Sequence, residues 1–176
     1  MRNIILYIAS SLNGKIAKND GTVDWLQEIP NPQEDDHGYA QFYESIDTTI
    51  QGYNTYRQIR SWGIEFPYIG KKNYVFTTKS NPEPFEHVEF VQENHINFVK
   101  QLKRQSGGNI WLIGGGMVNG MLLEEGLIDE LQVFVMPIVL DDGIDLFQTL
   151  EVDHLLKLQG VQSYPSGAVC LTYRLP

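Results

Sequence analysis

A chain of 176 residues with 42% hydrophobic and 11% aromatic side chains suits one packed domain, 1–176, and is too apolar for a disordered protein. Its formal net charge of −9 argues against a nucleic-acid partner, which demands clustered Lys and Arg. No apolar run approaches a membrane span, and one cysteine, Cys170, leaves no internal disulfide, so a soluble protein of a reducing, cytoplasmic compartment is expected.

Ile4 to Ala9 reads as a buried strand that gives way to a loop, Ser10 to Ala17, where a nucleotide-binding sheet keeps its site. Asp20-Gly21 is a turn signal, Val23 to Leu26 is apolar enough to dock, and Pro30 and Pro32 keep the next residues extended. Asp35 and Asp36 look like the start of a helix whose buried face carries Tyr39, Phe42, Tyr43 and Ile46. Thr48 to Gly52 is a strand ending in glycine, and Asn54 or Thr55 is placed to cap the helix that follows with Tyr56 and Ile59. Tyr74 to Lys79 and Val88 to Val91 are further strands, and Asn94 opens a helix through Ile96, Val99 and Leu102. Strands alternating with helices imply a mostly parallel sheet covered on both faces.

Ile110 to Gly114 is the next buried strand, closed by the triple glycine Gly114-Gly115-Gly116, and Met117, Val118, Met121 and Leu122 continue as a helix. A strand, a turn without side chains and a helix whose first N–H groups lack partners suit an anion such as a nucleotide diphosphate. A tight connection that merely packs is the plain alternative, although one glycine suffices for that. The dinucleotide fingerprint of the Rossmann fold fails at Asn119, so a different α/β nucleotide fold is implied. Glu130 to Pro137 forms another strand, Asp141-Asp142-Gly143 a turn, and Leu155 to Tyr164 with Ala168 to Arg174 a hairpin, which makes the sheet mixed. Four scattered histidines and one cysteine show no metal-ligand spacing, so no metal is expected.

The segments Ser11 to Ala17, Asp24-Trp25, Gly52 to Tyr56, Gly114 to Gly116 and Pro137 to Phe147, in this order, resemble the dihydrofolate reductase-like superfamily. The branch they resemble is the reductase domain of the riboflavin-biosynthesis protein RibD and its free-standing homologues. The resemblance implies a three-layer α/β/α fold with a mixed, mostly parallel eight-stranded sheet, ending in the antiparallel hairpin, and it implies NADPH as cofactor, with NADH not excluded. By resemblance, Ile8 and Ala9 meet the nicotinamide carboxamide and Ile16 and Ala17 lie beside the ring. Gly52, Tyr53, Asn54 and Thr55 hold the phosphate region, Thr77 and Thr78 line the adenosine ribose, and Ile113, Gly114, Gly115, Gly116, Met117 and Val118 wrap the diphosphate.

The implied chemistry is hydride transfer to a small pterin-, pyrimidine- or similarly heterocyclic substrate, with Trp25, Phe42 and Tyr56 as pocket walls. The acid that dihydrofolate reductases use to bind the pteridine falls near Gly38, so the candidates for a catalytic role are Asp36 and His37 beside it, and Asn13 where relatives carry Asp. Tyr53 stands where relatives pair the 2′-phosphate with a cation, leaving Lys79, Arg57 or Lys71 to supply that charge. A homodimer through Leu131 to Pro137 and the final hairpin is expected. The alternative function is a nucleotide-binding or sensing module that keeps the cofactor cradle without turnover.

Overall fold

The apolar runs and their glycine boundaries become ten strands and four helices in a computed structural model that describes all residues from Met1 to Pro176. In chain order these are β1 (Ile4–Ser11), β2 (Lys15–Ala17), α1 (Tyr39–Ser45), β3 (Ile46–Gly52), α2 (Tyr53–Ser61), β4 (Lys72–Phe76), β5 (Glu89–Val91), α3 (His95–Arg104), β6 (Asn109–Gly114), α4 (Gly116–Glu124), β7 (Glu130–Met136), β8 (Ile144–Asp145), β9 (Lys157–Ser163) and β10 (Val169–Arg174). Eight strands form one mixed sheet in the order β5-β4-β3-β6-β1-β7-β10-β9. The first six run parallel, and β10 and β9 are antiparallel additions. The expected fold class is therefore the observed one.

Alternate residues of the central strands serve opposite faces, as the pleat requires. Ile4, Leu6, Ile50, Ile110 and Leu112 pack with Val99 and Leu102 of α3 and Leu122 and Leu123 of α4. Their neighbours Ile5, Val75 and Trp111 meet Phe42 of α1 and Tyr56 and Ile59 of α2. A third cluster, Trp25, Phe134, Met136, Leu140, Ala168 and Cys170, extends the α1–α2 face toward the hairpin.

Local details differ from the sequence reading. Ile46 leaves the helix face and begins β3, because α1 stops at Ser45. Asn54 and Thr55 lie within the first turn of α2, whose N-cap is Gly52, and no side chain caps this helix. Asn94 does precede α3, but through its left-handed backbone rather than a side-chain cap. The residues Ile16 and Ala17 fall in a small separate sheet, β2 with β8, that hydrophobic periodicity could not reveal in runs of three and two residues. Cover on both faces fails at β9, an edge strand with Leu158 52% and Val161 61% exposed.

At the amino end of the sheet, the buried Arg2 donates from Nε to Gly108 O and from Nη2 to Thr48 Oγ1, both at 2.7 Å, and forms an ion pair with Asp47. Asp47 Oδ2 also accepts the Gly108 N–H at 2.7 Å. One guanidinium thus ties the starts of β1, β3 and β6 together. At the other face, α4 is pressed onto the chain following β8. A Cβ on Gly120 would stand 1.9 Å from Gln148 O, so only glycine permits this approach.

Gly120→Ala is expected to lower stability by about 1–3 kcal/mol, read as a reduced melting temperature, because backbone must move to admit the methyl group. Burial pushes the Asp47 carboxyl up, but the Thr48 hydroxyl, the Gly108 N–H and Arg2 outweigh it and hold it below its ordinary value of 3.8. A depressed folded-state value gives stability that is complete above the ordinary value and disappears as the pH falls below it. Asp47→Asn is accordingly expected to lower the melting temperature at neutral pH, with the gap to the parent closing as the pH drops below 3.8.

Candidate functional site

The crevice follows from where two strands stop pairing. β1 pairs with β6 only from Ile4–Leu6 against Ile110–Leu112, whereas it follows β7 as far as Ser11. Beyond Leu6 the two strands separate, and Tyr7, Ile8, Ala9 and Ile113 are partly exposed although β1 is a central strand. Asn3 O accepts from Ile110 of β6 and Ile4 O from Asp129 next to β7, so the main chain of odd-numbered residues faces β6. The N–H and C=O of Ala9 therefore turn into the gap, while Tyr7 O is taken by the Trp111 indole at 2.9 Å. Ligands of open α/β sheets bind at such a parting of strand carboxyl ends.

Two strand–glycine–helix units meet there. Gly52 ends β3 and caps α2, Gly115 caps α4 after β6, and neither cap position supplies a side-chain hydrogen bond. The Gly114–Gly115 peptide is cis. A Cβ on Gly52 would lie 3.1 Å from Val118 Cγ2, and one on Gly115 would lie 3.2 Å from Thr55 Oγ1. The bare glycines let both helix N-termini converge, with their first N–H groups free of side-chain caps. Two fully buried amides flank the turns with spare capacity: both amide atoms of Gln51 and Oδ1 of Asn119 have no protein partner.

The loop after β1 is tied to this cradle. Leu146 N donates to Gly14 O at 2.9 Å, and Leu146 O accepts from Asn119 Nδ2 at 2.9 Å. Gln148 N completes the link by donating to Gly116 O at 3.0 Å. Ile16 and Ala17 are thereby held through β2, paired with β8, on the strap that packs α4.

The remaining expected cofactor residues lie around the same end of the sheet. Met117 is 64% exposed on the first turn of α4. Thr77 is buried just past β4, with its hydroxyl accepting the Lys79 N–H at 3.1 Å, and Thr78 beside it is exposed. The Lys79 ammonium stands 4.5 Å from the centre of the Tyr53 ring, at the start of α2. Lys71 is corrected: it donates to Tyr43 O and Ile46 O at the amino ends of β3 and β4, away from the cradle. A shallow groove of about 590 Å³ lined by Lys72, Asn73, His87 and Glu89 also opens at that opposite end, remote from the strand carboxyl ends.

The catalytic and substrate candidates separate. Asn13 is engaged on both sides of its amide, donating to Leu140 O at 2.7 Å and accepting from Leu140 N at 3.1 Å, which makes it a fastener of the loop. Asp36 accepts from the Gly38 and Ala40 N–H groups at 2.8 and 2.9 Å and starts α1, and these bonds lower its carboxyl. His37 is instead drawn into the crevice wall: Nε2 lies 2.8 Å from Ser166 Oγ, and its carbonyl accepts from Tyr7 and Tyr164 hydroxyls, both at 3.2 Å. Trp25 is corrected as an open wall, since it is 0% exposed beneath Phe134 and Met136. Tyr56 is also corrected; its ring packs on Tyr53, Phe66, Phe85 and Phe90 inside the core. Phe42 is corrected too: it is 7% exposed in the same core cluster as Tyr56, stacked beneath Tyr7 with centroids 4.1 Å apart.

Tyr7, Tyr39, Phe134, Tyr164 and Ser166 are additions that sequence reasoning missed. Burial pushes the Tyr7 and Tyr164 hydroxyls up, and the Tyr39 hydroxyl to about 12, so all three are neutral donors at physiological pH. The signal for Tyr7 was present, as a polar-tipped aromatic four residues before the strand end. Nothing local marks Ser166, which only the hairpin register carries to His37.

A family model described as the RibD C-terminal domain matches residues 69–170. The uncharacterised protein YwjB of Bacillus subtilis (strain 168) is 41% identical over 98% of this chain and 97% of its own length. Among solved structures, a Shewanella sp. PV-4 protein named for riboflavin biosynthesis superposes with a TM-score of 0.88 and 30% identity, covering 100% of this chain and 99% of that one. Dihydrofolate reductase from Enterococcus faecalis, complexed with NADP(H), superposes with a TM-score of 0.69 at 14% identity, over 98% of this chain and 96% of that one, a likeness of fold. The chain belongs to the RibD C-terminal domain family.

Proposed function

We propose that the protein is an NADPH-dependent reductase that transfers a hydride to a small heterocyclic substrate. The observation that carries this reading is the meeting of two uncapped helix N-termini, at Gly52 and Gly115, beside the unpaired Ala9 main chain. A diphosphate fits the helix ends and an amide fits Ala9, which together describe a nicotinamide nucleotide laid across the crevice. When bound, a dihydronicotinamide supplies the hydride; the chain supplies distance, orientation and dryness.

In this reading the Ala9 main chain holds the carboxamide, Ile8, whose main chain faces β7, offers only its side chain, and Ile16 and Ala17 cover the ring from the loop. The first turns of α2, from Tyr53 to Thr55, and of α4, from Gly116 to Val118, surround the diphosphate with N–H groups. Thr77, Thr78 and Lys79 face the adenosine end, and Lys79 beside Tyr53 provides the cation for a 2′-phosphate. The reacting carbon of the substrate sits on the Tyr7 and Tyr39 side. There the Tyr7 hydroxyl, whose one proton goes to His37 O, presents its oxygen as an acceptor beside the His37–Ser166 pair. A nucleotide-binding module without turnover is the second reading, favoured by the engagement of Asp36 and Asn13 in local structure.

We also propose a homodimer through the final hairpin alone, since Leu131 to Met136 form the internal strand β7 between β1 and β10; the unpaired edge of β9, exposed Leu158 and Val161 on it and Leu155 just before it support this.

Titration with NADPH and NADH, followed by tryptophan emission, is expected to show tighter binding of NADPH. Lys79→Gln should weaken NADPH about tenfold, roughly 1.4 kcal/mol, and leave NADH unchanged. No binding of either nucleotide would end the reductase reading, and binding without NADPH oxidation across a panel of pterins and pyrimidines would favour the second. In light scattering, a dimer is expected for the parent and a monomer for Val161→Lys; a monomeric parent would remove the dimer.

A further inference from the structure

The glycine turn before α4 and the loop after β1 are far apart in sequence, and the strap from Leu140 to Gln148 lies between them. On the first half of the strap, Asn13 of the loop engages both polar main-chain groups of Leu140. On the second half, Leu146 N donates to Gly14 O at 2.9 Å and Lys15 Nζ pairs with Asp145 Oδ1 at 2.7 Å. α4 presses on this second half. Cβ atoms on Gly116 and Gly120 would collide with Asp145 O and Gln148 O, so main chain lies directly on main chain.

Asn119 is the one side chain of α4 that hydrogen-bonds the strap. Its Nδ2 donates to Leu146 O at 2.9 Å, so Leu146 holds the loop through its N–H and α4 through its carbonyl. The same residue is fixed to the glycine turn. Asn119 N donates to Gly115 O at 3.0 Å, and a Cβ on Gly114 would stand 3.5 Å from Asn119 Oδ1. Asn119 is 0% exposed, and its Oδ1 has no protein partner. Leaving a buried acceptor unmade is costly, and a leucine of similar shape would avoid that cost. What the amide provides and leucine lacks is the bond to Leu146.

We propose that Asn119 is a positioning residue that couples the glycine turn to the loop after β1. An anion seated on the first turn of α4 stiffens the Asn119–Leu146–Gly14 chain and orders Gly14 to Ala17 before a ring or a substrate touches them. This rests on the reading of the two glycine turns as a diphosphate cradle. The uncapped first N–H groups of α4 gain partners from the anion, which fixes the turn that carries Asn119. Close main-chain contact leaves the strap little slack to absorb the change, so the added order passes to the loop.

The test uses 2′-phospho-ADP-ribose, which has the diphosphate and adenosine of the nucleotide but no ring for Ile16 and Ala17 to cover. Amide shifts and hydrogen exchange of the isotope-labelled whole protein are followed as this compound is added. The Gly115 to Val118 amides are expected to shift. The amides of Gly14, bonded to Ser11 O, and of Leu146 are expected to exchange about fivefold more slowly at saturation. In Asn119→Leu the turn amides still shift, while the slowing at Gly14 and Leu146 falls below about twofold. Equal slowing in variant and parent overturns the proposal, as does a parent whose loop is indifferent to the compound. If Asn119→Leu fails to fold, the Nδ2 protons of Asn119 in the parent decide. Protection that rises together with that of the loop amides, at one dissociation constant, supports the coupling; Nδ2 protons that ignore the compound overturn it. Shifts at the glycine turns with an unchanged loop remove this inference and leave the cradle standing, whereas no shift at either turn removes both.

Discussion

Everything around the site depends on two helix ends meeting without side chains between them. Gly52 places β3 and α2 within 3.1 Å of the Val118 methyl, measured from where its Cβ would stand, and Gly115 does the same toward Thr55. Larger residues at these two positions would push α2 and α4 apart and leave two separate, weak anion sites. Brought together, their N–H groups form a single field of positive potential at the carboxyl ends of β3 and β6. A chain with a net charge of −9 attracts a polyanion poorly at long range, so this local arrangement has to carry the attraction.

The sheet order places that field beside the gap between β1 and β6. β1 lies between β6 and β7, but its carboxyl half stays with β7 alone, and the strap from Leu140 to Gln148 holds the following loop. Leu146 is the joint of this strap, donating to Gly14 and accepting from Asn119. The loop after β1 and the glycine turn from Gly114 to Gly116 are thus parts of one hydrogen-bonded unit. Gly116 and Gly120 make the contact with α4 close enough to be stiff, because main chain rather than flexible side chain meets the helix.

Much of this was legible in the residues. Buried runs such as Ile110 to Ile113, followed by three glycines and an apolar helix, signal a strand–turn–helix unit by period and composition, and the repeat of a strand, glycine and helix at Gly52 signals a second. The parallel order and the final hairpin follow from the same alternation. What stayed hidden depends on long-range register. Trp25, expected as a pocket wall, fills the space under Phe134 and Met136 of β7 and Cys170 of β10. Tyr56 shows the helical spacing common to walls and cores, and only the packing of Phe66, Phe85 and Phe90 assigns it to the core. His37 and Ser166, separated by 129 positions, share no local signal at all.

The central claim, a nicotinamide nucleotide bridging both glycine turns and the free edge of β1, is tested most directly by amide NMR during an NADPH titration. The account predicts saturable shifts of the Tyr53 to Thr55, Gly115 to Val118 and Ala9 amides with one common dissociation constant. Shifts confined to one glycine turn, or centred on Lys72, Asn73 and His87 at the opposite end of the sheet, would contradict it.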